Sequence, residues 1–233
     1  KLMPVSVGGT LVSKATLHNV FDLRKRGIRV GDQITIQRAG DVIPEVAYRK
    51  PQSARSIYAP NFHFPKFCPS CNSPVKRAKG EANYYCVGKS VCKEQIIGSL
   101  VHFASREAMN IQGLGEATIT ALVNSGDLKT YLDIYSIDKK TYAVEGNLGE
   151  ILAEKLMGAI EKSKGNYAWQ FLYALSIEEI GRTKSKLLCS KSNLATISDL
   201  AALGVKAAPE DLGKSANEKL CLYFQEYNTN HTR

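Results

Sequence analysis

The chain has 233 residues, a formal net charge of +9 and six cysteines, and it contains no apolar run long enough to form a membrane-spanning helix. That length suits one to three domains with a buried core. The lack of a signal-peptide pattern, together with cysteines grouped like metal ligands, points to a reducing, cytoplasmic setting rather than a secreted disulfide scaffold. The basic excess is uneven: residues 1–60 hold ten Lys/Arg against four Asp/Glu, residues 61–95 six against two, and residues 96–233 fifteen against sixteen. The positive face therefore belongs to the first two segments, and nucleic acid is the leading partner. On charge alone, the alternative is a solvated basic surface with no partner.

Residues 1–60 read as β-structure with one short helix. Pro4 to Val12 is rich in β-branched residues and broken by Gly8-Gly9, as at a bulge or tight bend. Thr16 to Arg26 places Leu17, Val20, Phe21 and Leu23 at helical spacing, and Gly27 ends the pattern. Gln33 to Arg38 alternates polar and apolar residues, the mark of a half-buried strand, and Val42 to Val46 reads as a further strand with Pro44 at an edge or bend. Short strands, glycine turns and one helix in this length predict a small OB-type β-barrel. The chain opens directly in a strand-like segment, which leads us to expect an upstream portion.

Pro51, Pro60 and Pro65 mark an extended linker into a cysteine-rich module. Cys68, Cys71, Cys86 and Cys92 follow the pattern C-x2-C-x14-C-x5-C, with Pro74, Gly80 and Gly88 supplying turns. Two short ligand pairs joined by a loop are what a tetrahedral Zn2+ site needs, and the first pair has the usual knuckle spacing. Two disulfides or buried free thiols are the other reading of the same spacing. Four thiolates leave no open coordination position, so the zinc would be structural. Residues 61–95 are too few for a core of their own and should depend on the metal to fold. Cys189 and Cys221 lie in apolar, helix-like surroundings and read as small core residues.

From residue 96 onward the pattern is helical, and it repeats. Gly115, Gly149, Gly181 and Gly213 recur at spacings of 32 to 34 residues, each preceded by an apolar residue and followed by a helix pattern. Earlier glycines, Gly113 and Gly146, precede the first two. This is a helix-hairpin-helix signature, in which the second helix offers free N–H groups and its positive dipole end to a phosphate. Such contacts read backbone rather than bases. A helical repeat of TPR or ankyrin length is the competing reading, but neither composition is present. Arg182, Lys184 and Lys214 can each pair a phosphate, whereas Asp211 opposes one. The predicted fold is thus multidomain α+β: an OB-type barrel over 1–60, a four-cysteine zinc finger with its linker over 61–95, and an all-α helix-hairpin-helix array with four hairpins over 96–233.

That order resembles the C-terminal half of bacterial NAD-dependent DNA ligases. The resemblance extends to Gly9-Thr10-Leu11-Val12-Ser13-Lys14-Ala15-Thr16-Leu17-His18-Asn19, to Ile28-Arg29-Val30-Gly31-Asp32, and to Arg38-Ala39-Gly40-Asp41-Val42-Ile43-Pro44. It extends also to the cysteine spacing, to Phe103 through Met109, and to Phe171-Leu172-Tyr173-Ala174-Leu175. It implies a DNA-clamping role in sealing nicks in double-stranded DNA, with Zn2+ as the structural metal. NAD and Mg2+ would serve the full-length enzyme and bind mainly outside this chain. The family's K-x-D-G adenylation motif does not occur in these 233 residues, so the chain alone is expected not to form ligase-adenylate. Carried over by position, Arg38 would contact the backbone beside the nick, and Val42 and Ile43 would press into the minor groove. The alternative for those two apolar residues is barrel core. Lys14 would be a phosphate contact, and Gly113 and Gly115 would bind phosphates on one flank of the nick. A monomer is expected. Two other readings stay open: a non-catalytic, structure-specific DNA-binding module of another repair protein, and an RNA-binding zinc protein built on the OB-fold.

Overall fold

The computed structural model describes residues 1–39, 43–50, 62–77, 80–192, 194 and 212–231. The chain divides into two compact units, Lys1–Gly88 and Lys89–Arg233.

In the first unit, β1 (Val5–Val7) and β2 (Thr10–Val12) pair antiparallel, with Val7 opposite Thr10. The two residues between them, Gly8 and Gly9, have φ of 56° and 75°. Positive φ at both central positions gives the turn a twist that matches the flanking strands, so this dipeptide closes a two-residue hairpin. The chain then runs extended. The Thr16 N–H donates to Pro44 O (2.9 Å) and Thr16 O accepts from the Val46 N–H (3.1 Å), forming a parallel bridge.

Helix α1 (Val20–Arg26) therefore starts later than the sequence pattern predicts. Thr16 is engaged by the sheet, His18 takes a left-handed conformation (φ 59°), and Asn19 caps the helix by accepting the Asp22 N–H at 3.0 Å. At the other end Gly27 stops the helix as expected, in the left-handed conformation. Strands β3 (Ile34–Ala39) and β4 (Ile43–Arg49) form a second antiparallel hairpin, with a bulge between Thr35 and Ile36. Among the described residues of this unit, Val12, Ile28 and Val46 are the buried apolar ones. Among the described residues, the 1–60 segment holds two hairpins joined through the Thr16 bridge, without the continuous pairing that closes a barrel. Strands β5 (Val75–Lys76) and β6 (Tyr85–Cys86) pair antiparallel in the cysteine module.

The second unit opens with one 3-10 turn (Lys89–Val91) and is otherwise helical among its described residues. Its helices are α2 (Lys93–Ala104), α3 (Glu116–Ser125), α4 (Asp133–Ser136), α5 (Lys139–Val144) and α6 (Glu150–Ser163), then α7 (Ala168–Ala174), α8 (Arg182–Lys191) and α9 (Lys214–His231). Apolar periodicity sets the packed faces: Ile97, Leu100, Phe103 and Ala104 on α2, and Ala153, Leu156 and Ile160 on α6, are all buried. They join one core centred on Phe103, whose ring stacks on Tyr131 at 4.7 Å and meets Phe171 edge-on at 6.2 Å. The one polar side-chain atom of Tyr142 is satisfied inside this core, donating to Ile134 O at 2.9 Å. A second core gathers Leu172, Leu188, Leu212 and Leu220. Cys189 belongs to that second core, whereas Cys221 is only half-buried and does not. No described helix is long and apolar enough to cross a membrane.

Candidate metal centre and nucleic-acid interface

The cysteine module is built from tight turns. The Cys68 N–H donates to Ser73 O and the Asn72 N–H to Cys68 O, both at 2.8 Å, folding Cys68-Pro69-Ser70-Cys71 into a knuckle. β6 carries Cys86 next to it, and Cys92 precedes α2. The four Sγ atoms lie within 4.8 Å of one another. A tetrahedron with Zn–S bonds of about 2.3 Å has sulfur–sulfur edges of about 3.8 Å, so the cluster is of the right size for one zinc ion. None of the four cysteines is in a disulfide, and Cys71 and Cys86 approach to 3.4 Å between sulfurs, far longer than a disulfide bond. The disulfide reading thus fails, and the convergence of four Sγ atoms on one point fits a shared metal ion.

Gly88 holds this cluster together in a way that sequence spacing did not reveal. Its N–H donates to Cys86 Sγ at 3.2 Å. A Cβ at this position would meet Ser73 Oγ at 2.8 Å and Cys71 Sγ at 2.9 Å, so only glycine fits. In the same module, Phe64 stacks on Tyr84 at 4.4 Å, and the Arg77 guanidinium lies over the Tyr84 ring, 5.6 Å from its centre.

The residues expected at a DNA surface fall in several places. Arg38 lies on β3 opposite Pro44, with its guanidinium packed beside the Gly8–Gly9 turn. It is half-buried, not a solvated edge charge, and its Nε is buried without a hydrogen-bond partner among the described residues. Ile43 begins β4 and is 58% exposed, so it is surface and not barrel core; Val42 lies outside the described residues. Lys14 is exposed on the extended segment after β2. Next to them, His18 Nε2 contacts Glu45 Oε2 at 2.8 Å, and Gln37 donates to the other Glu45 oxygen at 2.6 Å. The Gln37 amide, then His18 and Arg26, hold the Glu45 carboxyl below the usual carboxylate range. His18 is thus tied into structure, with no catalytic constellation around it among the described residues.

The glycines of the repeat sit at helix starts. Gly115 is the N-cap of α3, Gly149 of α6 and Gly181 of α8, and Gly213 directly precedes α9. Gly113 and Gly146 lie in the turns before α3 and α6; a Cβ at Gly146 would meet Tyr142 O at 2.4 Å. The cations of the third turn are engaged by the protein itself. Arg182 pairs with Glu107 and lies over the Trp169 ring, and Lys184 is 3.9 Å from Glu179. Lys214 is exposed at the start of α9.

Residues 1–56 match the family model of the NAD-dependent DNA ligase OB-fold domain, and residues 67–93 that of the NAD-dependent DNA ligase C4 zinc finger domain. The DNA ligase of Legionella pneumophila (strain Lens) is 42% identical over 236 residues, covering 97% of this chain and 33% of that protein. Those of Saccharophagus degradans and Desulfitobacterium hafniense (strain Y51) are 43% and 37% identical, over 82% and 99% of this chain and 28% and 35% of theirs. The chain belongs to the NAD-dependent DNA ligase family.

It spans about a third of the length of the curated ligases it matches. Within the ligase C4 zinc finger, the four cysteines were legible from spacing alone, because each pair must close a turn on one ion. Gly88 and the His18–Glu45 contact were not, since both depend on what the fold brings alongside them.

Proposed function

We infer that this chain is the DNA-clamping part of an NAD-dependent DNA ligase that seals nicks in duplex DNA, joining a 5′-phosphate to a 3′-hydroxyl. The observation that carries this reading is the order on one chain: ligase OB-fold match, ligase zinc finger match, then four helices each preceded by a glycine. In this reading residues 1–60, 61–95 and 96–233 act as OB-fold, zinc module and helix-hairpin-helix array. The chain works as a monomer on nicked double-stranded DNA.

Arg38 contacts the phosphate backbone beside the nick. Its half-buried place against the Gly8–Gly9 turn supports a positioned guanidinium donor for an anion. Ile43, exposed at the start of β4, presses with Val42 into the minor groove and helps to align the broken strand. Lys14 adds a phosphate contact. The helix N-termini that follow Gly113–Gly115 and Gly146–Gly149 offer first-turn backbone N–H groups to phosphates, and the turns at Gly181 and Gly213 build the array and add Arg182, Lys184 and Lys214. Zn2+ holds the module between barrel and array in shape. NAD supplies the adenylate that activates the 5′-phosphate, and Mg2+ offsets phosphate charge; both serve the full-length enzyme. The present chain, lacking K-x-D-G, does not adenylate itself.

The test is a binding titration of the zinc-loaded chain with nicked, intact and single-stranded DNA of equal length across a salt series. Preference for duplex with a steep salt slope is expected, because neutralised phosphates release counterions. Preference for single strands, or no binding, overturns the reading. Label transfer from NAD to the chain would contradict the assigned division of labour.

A further inference from the structure

Two surface clefts of the second unit flank the first glycine turn and share its residues Asn110 and Gln112. One, of about 400 Å³, has Arg106 on its wall. The other, of about 240 Å³, lies between that turn and α6 and is lined by Lys155, Gly158, Lys162 and Asn166 among others. No carboxylate lines either cleft among the described residues.

The lysines of the second cleft stand out against their surroundings. The segment after residue 95 is nearly neutral, and two cations near α6 are neutralised by acids on it: Lys139 pairs with Glu154, and Lys164 with Glu161. Lys155 and Lys162 form no ion pair among the described residues. The sequence explains why: their helical neighbours three and four positions away are Ile151, Leu152, Gly158, Ala159, Gly165 and Asn166, none of them acidic. Seven residues apart, the two lysines share one face of α6, about 10 Å apart along its axis. Gly158 lies between them on that face, where the missing side chain lets another backbone come close. Behind it, Asn166 donates to Met109 O at 2.7 Å and so fixes α6 to the glycine turn. The result is a cleft with cations at both ends, a bare floor and amide side chains on its rim. Its chemistry suits a phosphodiester, which is anionic, narrow and an acceptor on all exposed oxygens.

We propose that Lys155 and Lys162 form a phosphodiester-binding cleft across Gly158, continuing the backbone track of the Gly113–Gly115 turn, with Arg106 on the far side of that turn. This rests on the clamp reading and names where on the helical unit a DNA strand is held. The contact is independent of sequence, since it offers only charge and amides to the sugar-phosphate chain.

The experiment compares the zinc-loaded chain with K155A/K162A and with K155R/K162R on nicked duplex across a salt series. In the alanine pair, affinity should fall about 10–100-fold near 0.1 M salt, and the slope of log K against log salt should flatten by about 2, one per lost phosphate contact. The arginine pair should restore both. If the unmodified chain binds duplex with a steep slope and K155A/K162A binds identically, the cleft is overturned and the clamp reading stands. If the unmodified chain does not prefer duplex, the clamp reading falls and the cleft with it. A Gly158→Leu variant with unchanged circular dichroism gives an uncharged check: it should weaken binding without changing net charge, and unaltered affinity would count against a strand lying on that floor.

Discussion

At Gly88 a single methyl group would sit 2.9 Å from Cys71 Sγ, closer than real carbons approach, and at a tight 3.2 Å from Cys86 Sγ. Gly88→Ala should therefore push the sulfurs apart and disturb the N–H donor to Cys86, and losses of this kind cost about 10–100-fold in metal affinity. Competition with a chromogenic zinc chelator reads this directly, and wild-type retention of zinc would show that the turn can yield. Arg38 is a second point of leverage. Arg38→Ala should weaken nicked-duplex binding by about 1–3 kcal/mol, the range of a charge-assisted contact, in the same titration used for the whole chain. Unchanged binding would remove Arg38 from the interface. Burial pushes the Cys189 thiol up to about 11, so it should resist alkylation at pH 8 while half-buried Cys221 reacts. The folded state keeps this proton after the unfolded chain has lost its own. The contribution to stability is complete below the ordinary thiol range near 9 and is lost as pH rises toward 11. Intact-mass analysis of timed alkylation checks the order of reaction.

Among the elements, α1 shows how a short helix is delimited by its ends. Only seven residues long and with no fully buried residue, it depends on the Asn19 cap, the Gly27 stop and the i, i+4 pair of Asp22 with Arg26. Arg26 also donates to the backbone oxygens of Val46 and Ala47, which ties α1 to β4. Asn19→Ala leaves the Asp22 N–H without its acceptor and should cost about 1 kcal/mol, measured by denaturant unfolding of the chain. An unchanged midpoint would mean that the Arg26 contacts alone hold the helix. The same logic explains the late start of α1. Leu17 fits the helical period, but Thr16 is already hydrogen-bonded on both sides to β4, and a residue cannot serve a sheet and a helix with the same backbone groups.

For the molecule as a whole, metal and fold are coupled most tightly in residues 62–93. Among the described residues this module has two strands of two residues each, and its largest organised feature is the cysteine cluster itself. Removing zinc should unfold it while the two helical cores of the second unit, built on Phe103 and on Leu172, remain. Hydrogen exchange before and after chelation tests this: protection should vanish around Cys68–Cys86 and persist in α3 and α6. Protection that survives verified zinc loss would mean the turns fold without the ion.

The sequence by itself determined the metal ligands, the α+β order, the helix starts after Gly115, Gly149 and Gly181, and the concentration of positive charge before residue 96. Each of these is a short-range property: a turn must close on an ion, a glycine must precede a helix, and charges can be counted. The tertiary structure alone decided that Ile43 faces solvent, that Arg38 lies against the Gly8–Gly9 turn, and that Cys221 stays outside the core. It alone set Lys155 and Lys162 around a cleft with the Gly113 turn. Exposure and cleft walls are made by residues distant in the chain, and a local pattern carries no record of what packs against it.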